Sequence, residues 1–146
     1  MANLYSYQGN EERVAKACSK DLNVSWKHCN EVCYAIRGKR VTSAVTYLND
    51  VLERKTFIPM RRYNTGIPHR KGGKPGRYLD KSVKIIIKLL ENVKANAEHK
   101  GLDGEKLKII HSTAYKASTI SRIKPKGRSK RHCIDLADIE IAVKEV

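Results

Sequence analysis

The sequence predicts an α+β fold, with a three-stranded antiparallel sheet packed against three helices and a long β-hairpin protruding from it. Three observations carry this. Apolar residues recur at helical spacing in three separate stretches, short segments near both ends alternate apolar with polar side chains, and a basic stretch before the C-terminus has almost nothing to bury. At 146 residues the chain suits one domain. Its 40% apolar and 6% aromatic content predicts a modest core of Ile, Val, Leu and Ala.

Taken in order, residues 1–20 show no sustained period and are expected to form an extended arm. Leu22, Val24 and Trp26 alternate with Asn23, Ser25 and Lys27, which predicts a first strand. Asn30 is placed to cap a short helix through Arg37 that buries Val32, Cys33 and Ile36, with Gly38 at its left-handed exit. Thr42 is the expected cap of a second helix in which Ala44, Val45, Leu48, Val51 and Leu52 form one stripe; Arg54 and Lys55 suit its C-terminal dipole. Pro59 marks the exit.

Residues 61–77 hold six basic residues, four glycines, two prolines and no acid, the composition of a cationic loop. Asp80 is expected to cap the third helix, whose Val83, Ile86, Ile87, Leu90, Val93 and Ala97 trace a single apolar stripe up to a stop at His99, Lys100 and Gly101. Leu107 and Ile109 open a second strand, and Ile139, Ile141 and Val143 alternate in a third. Ile134 and Leu136 fall in the opposite phase, which predicts a bulge or bend near Leu136 and Ala137. The chain therefore divides into an arm (1–20), a globular part (21–111 and 138–146) and a basic hairpin (112–137).

The hairpin carries Lys116, Arg122, Lys124, Lys126, Arg128, Lys130 and Arg131, with no acid before Asp135. If the strand starting at Leu107 pairs with the one ending at Val143, the reversal falls at Pro125, Lys126 and Gly127. Each arm then reaches roughly 40 Å, at ~3.3 Å per residue. A lone two-stranded ribbon is marginal in water, so the stretch is either a solvated, flexible loop, as most charge runs are, or an arm whose partner meets its backbone and its charge.

Thirty Lys and Arg against fifteen Asp and Glu give a formal charge of +15, and a polyanion is the natural compensation. No run approaches the roughly 18 to 20 apolar residues of a membrane span, and no export signal is expected, so nucleic acid, specifically folded RNA, is the favoured partner. Cys18, Cys29, Cys33 and Cys133 are read as reduced thiols in the cytoplasm.

Three patterns in the sequence bear on catalysis or metal binding. His28, Cys29 and Cys33, with His132 and Cys133 downstream, lack the spacing of a zinc knuckle, so no metal or cofactor is expected. Asp135, Asp138 and Glu140 would suit a metal-dependent nuclease, but Asp138 and Glu140 equally form the polar face of an amphipathic strand. Lys71, Gly72, Gly73 and Lys74 lack Walker spacing and read better as backbone contact with RNA. Tyr63 and Tyr78 flank this loop, and either stacking on bases or burial fits them.

Several separated segments together resemble one family. They are Arg37-Gly38-Lys39-Arg40-Val41-Thr42 with Ala44, then Arg61-Arg62-Tyr63-Asn64, Gly76-Arg77-Tyr78, Asn96-Ala97-Glu98-His99, Gly101-Leu102-Asp103 and Lys126-Gly127-Arg128. In that order and spacing they resemble the universal large-subunit ribosomal protein family, numbered twenty-two in bacteria and seventeen in eukaryotes, in its archaeal and eukaryotic form. The likeness covers roughly residues 22–143. Residues 65–76 form a shorter loop than eukaryotic members usually have, and Ala117-Ser118-Thr119 lacks the proline common in the ascending arm.

The resemblance implies a structural constituent of the cytoplasmic ribosome and not an enzyme. Its partners would be large-subunit ribosomal RNA, neighbouring large-subunit proteins and, at the hairpin tip, the nascent polypeptide in the exit tunnel. With the charge pattern it assigns RNA binding to Arg61, Arg62, Tyr63, Asn64, His69, Arg70, Lys71, Lys74, Arg77, Lys116, Arg122, Lys124, Lys126, Arg128, Lys130 and Arg131. It assigns the tunnel wall to Lys124, Pro125, Lys126, Gly127 and Arg128. The alternatives are a basic nucleic-acid-processing enzyme and a free-standing RNA-binding module.

Overall fold

The computed structural model describes residues 5–9, 13–123 and 132–146. Among them the chain runs β1 (Val14–Leu22), α1 (Trp26–Ile36), α2 (Val41–Leu52), β2 (Ile58–Pro59), β3 (Gly76–Arg77), α3 (Asp80–His99), β4 (Leu107–Arg122) and β5 (His132–Glu145). The main sheet is antiparallel with order β1-β5-β4, and β2 pairs with β3 in a separate two-stranded ribbon. The fold is α+β as expected, with three helices on a three-stranded sheet.

The first strand lies earlier than the alternation predicted. It spans Val14–Leu22, taking in residues 14–20 of the expected arm, while Trp26 begins α1. The inward residues of β1 include Ala15 and Ala17, whose small side chains give little period-2 signal and are uncommon in strands. Pairing with β5 from Val14↔Lys144 to Leu22↔Ala137 overrides that weak propensity. Val24, counted in the predicted strand, is instead buried in the turn between β1 and α1.

Each helix cap also shifts. Ser25, not Asn30, precedes α1; Arg40, not Thr42, precedes α2; and Leu79, at φ 52°, precedes α3, so Asp80 sits in the first turn. None of the three cap side chains bonds the helix end. The helices are held instead by their apolar stripes, which supply most helix stability in folded proteins. Cys29, Val32, Cys33 and Ile36 from α1, Leu48 and Val51 from α2, and Ile86, Leu90 and Val93 from α3 meet Ile139, Ile141 and Val143 in one core. At the far end of α3, Gly101 adopts φ 77° and donates to Glu98 O, while Leu102 N–H donates to Ala97 O, ending the helix where the sequence placed the stop.

The β4–β5 ladder runs from Leu107↔Glu145 to Arg122↔His132. Its register slips between Lys116↔Ala137 and Thr119↔Asp135, so Ala117 and Ser118 together oppose Leu136. The irregularity coincides with the phase change read on β5, where the consecutive residues Leu136 and Ala137 are both buried. Beyond it the ladder loses contact with the core: Thr119 to Ile123 are exposed, Ile123 at 86%. The expected reversal at Pro125, Lys126 and Gly127 lies outside the described residues.

Candidate nucleic-acid interface

A loop with six cations and no acid cannot organise itself, so its anchor must come from elsewhere. Glu31 of α1 supplies it: only 3% exposed, its carboxylate accepts the backbone N–H of Arg61 (3.0 Å), Arg62 (2.8 Å) and Tyr63 (3.0 Å). Charge-assisted bonds of this kind hold a backbone more firmly than neutral ones. They fix the start of the loop while the side chains of Arg61 and Arg62 remain exposed.

The far end of the loop is a tight reversal. Arg70 N–H donates to Lys74 O (2.8 Å) and Gly73 N–H to Arg70 O (2.9 Å), with Gly72 at φ 97° and Gly73 at φ 76°. Those left-handed angles require glycine in practice, so Gly72 and Gly73 serve the turn, and exposed Lys71 and Lys74 flank it. His69 bridges to Pro75, and β2–β3 closes the loop through Pro59↔Gly76 and Ile58↔Arg77. His69, Asn64 and Arg77 are exposed along it.

Two predicted contact residues are partly engaged within the fold. Arg70 donates from Nε to Gly76 O (3.1 Å) and lies 5.0 Å from the Tyr78 ring centre, which Arg54 also approaches at 4.4 Å. Arg54 in turn ion-pairs with Asp80 at 2.6 Å. Tyr78 is thus a half-buried platform for two guanidiniums. Tyr63 meets Trp26 edge-on at 5.5 Å, with Lys27 5.4 Å from its ring. Both tyrosines therefore lean toward the fold.

The arrangement adds residues that the sequence reading missed. An open groove of about 780 Å³ lies between α1 and β4, with the start of the basic loop along its rim. From α1 it is lined by Trp26, Asn30 and Tyr34, with Arg37 at the helix's C-cap, and from β4 by Thr113, Tyr115 and Lys116. Spacings of four place Trp26, Asn30 and Tyr34 on one stripe, opposite the buried one. That signal was present in the sequence, but starting the helix at Asn30 cut Trp26 from the stripe.

On the β4–β5 ladder, Lys116 lies 3.0 Å from Asp135, whose carboxylate also accepts the Thr119 hydroxyl at 2.8 Å. Arg122 is exposed at the last described rung. Lys124, Pro125, Lys126, Gly127, Arg128, Lys130 and Arg131 lie outside the described residues.

The carboxylates considered for a nuclease are engaged with the chain itself. Asp138 accepts the backbone N–H of Asp21 at 2.7 Å, and Glu140 accepts both the N–H (3.0 Å) and the hydroxyl (2.6 Å) of Ser6. His28 and Cys133 line one groove, but Cys29 and Cys33 are buried in the core. Burial pushes the Cys33 thiol up to about 12, the range of an unreactive thiol. Among the described residues no three His, Cys, Asp or Glu side chains cluster as metal ligands, and no helix is long and apolar enough to cross a membrane.

Comparison with known proteins gives a consistent answer. Residues 17–144 match the family model described as ribosomal protein L22p/L17e. The chain is 39% identical over 147 residues to the large ribosomal subunit protein uL22 of Methanocella arvoryzae, covering 97% of this chain and 96% of that relative. It is 40% identical to the uL22 of Archaeoglobus fulgidus, covering 94% and 92%, and 40% identical to that of Staphylothermus marinus, covering 97% and 96%.

Proposed function

The chain belongs to the ribosomal protein L22p/L17e family, and on that premise we propose that it is a structural, non-enzymatic component of the large ribosomal subunit that holds several segments of ribosomal RNA. Two cationic segments of the chain carry this role. The loop 61–77 binds phosphates through Arg61, Arg62, Lys71, Lys74 and Arg77, and Asn64 and His69 add hydrogen bonds. Arg70 and Tyr63 shape that surface from within. The β4–β5 ladder carries Lys116 just before the bulge and Arg122 beyond it, and Lys124, Lys126, Arg128, Lys130 and Arg131 continue the charge in the sequence that follows. Contacts of this type position RNA without reading its sequence.

The observation that carries the reading is the Glu31 anchor. A buried acid that holds the backbone of Arg61, Arg62 and Tyr63 organises positive charge in advance of any partner. The finer part of the proposal is that the residues joining β4 to β5 reach the nascent-chain exit tunnel, with Lys124, Pro125, Lys126, Gly127 and Arg128 on its wall. Neighbouring large-subunit proteins and the nascent polypeptide would then be further partners, in the cytoplasm.

Sedimentation of the tagged chain from cells through a high-salt cushion tests this. The chain should remain with the large subunit, whereas a free-standing RNA binder washes off as its affinity falls with salt. Replacing Arg122, Lys124, Lys126, Arg128, Lys130 and Arg131 with Ala should leave the globular part folded and reduce incorporation. Full incorporation of that variant would remove the ladder from the mechanism.

A further inference from the structure

We propose that the groove between α1 and β4 seats one unstacked nucleotide of single-stranded RNA, an inference that rests on the RNA-binding reading above. Among the described residues, Tyr34 and Tyr115 are two of the few large hydrophobic side chains left exposed, at 49% and 40%, and both line this groove. Exposed aromatic rings on opposite walls, surrounded by cations, are what a flat base and its phosphate require.

The site is organised in advance on both sides. Arg61 stands 4.6 Å from the Tyr34 ring centre, and its backbone is held by Glu31. Arg37 stands 5.7 Å from the same ring and donates from Nη2 to Ser112 O at 2.7 Å. A guanidinium laid on a phenol extends the stacking surface, since bases stack on Arg planes as well as on aromatic rings. Asn30, also on the wall, brings an amide with a donor and an acceptor for a base edge.

Charge selects the occupant. Among the described residues on the wall the one acid is Glu31, and its oxygens already accept three backbone N–H groups, so it adds little repulsion toward a phosphate. A duplex would offer phosphates but keep its bases stacked away from Tyr34 and Tyr115. An acidic peptide would offer charge without a planar ring.

Trp26, the chain's single tryptophan, lines the groove and reports on it directly. Fluorescence of the full chain is titrated with a single-stranded RNA hexamer, the same-length RNA duplex, inorganic polyphosphate and polyglutamate, alongside gel-shift binding of a long structured RNA. Saturable quenching by the single strand alone is expected. Tyr34→Leu and Tyr115→Leu should each weaken it on the order of tenfold, the size of one stacking contact, with the long RNA still shifted.

Equal quenching by polyphosphate, duplex or polyglutamate overturns the proposal, as does unchanged hexamer affinity in folded variants. Failure of the wild-type chain to shift any RNA would instead defeat the broader RNA-binding reading, and this one with it.

Discussion

The carboxylate of Glu31 accepts the backbone N–H of Arg62 at 2.8 Å, across 31 residues of sequence. The bond ties the middle of α1 to the start of a loop with no acid of its own. Neither partner has a local reason to be where it is: an acid in the buried stripe of a helix is ordinarily unfavourable, and an Arg-Arg pair ordinarily extends into solvent.

Removing that tie should loosen the loop before it unfolds the domain. Glu31→Ala strands three backbone donors, and partial access to water limits the loss to about 3 kcal/mol. Urea unfolding should show the lower midpoint, and trypsin should cut after Arg61 or Arg62 faster than in the wild type. Unchanged cleavage would mean the loop is held by something else.

Lys71 and Lys74 flank an exposed turn and carry no fold contact that their loss would break. Changing both to Ala should leave the melting temperature within a degree or so and weaken RNA binding. The slope of log affinity against log salt should fall by roughly 1.4 to 1.8, the value for two phosphates. An unaltered slope would place these lysines away from the RNA.

At Gly76 an added Cβ would press into the Phe57 ring and stand 3.1 Å from Ile58 O. Gly76→Ala should therefore strain the β2–β3 closure and cost about 1 to 3 kcal/mol, as overpacking does elsewhere. A thermal melt gives the answer, and a wild-type midpoint would show that Phe57 moves aside freely.

His28 and His111 are both held below the ordinary imidazole range, first by burial, with Arg77 adding to it at His28 and Arg37 at His111, where Glu140 acts in the opposite sense. The unfolded chain then takes up protons more readily than the folded one. The stabilisation is complete above about pH 6.5, the unfolded value, and is lost as pH falls through the folded values. Thermal midpoints should drop on acidification across that window, and His28→Gln should make the drop shallower. Identical profiles for the two proteins would exclude His28 as a contributor.

Periodicity alone identified α3, because twenty residues of one apolar stripe leave no rival conformation, and it located the bulge through the phase change between Leu136 and Ile139. Charge alone pointed to a polyanion. The sequence did not reveal that Val14–Leu22 is a strand, since Ala15 and Ala17 bury too little surface to mark a face and only pairing with β5 commits them. Nor did it join Trp26, Tyr34 and Tyr115 in one groove or place Glu31 beneath Arg62. Periodicity registers a side chain's relation to its own helix or strand. Contacts between elements far apart in the chain are fixed only when the core brings α1, β4 and the loop together.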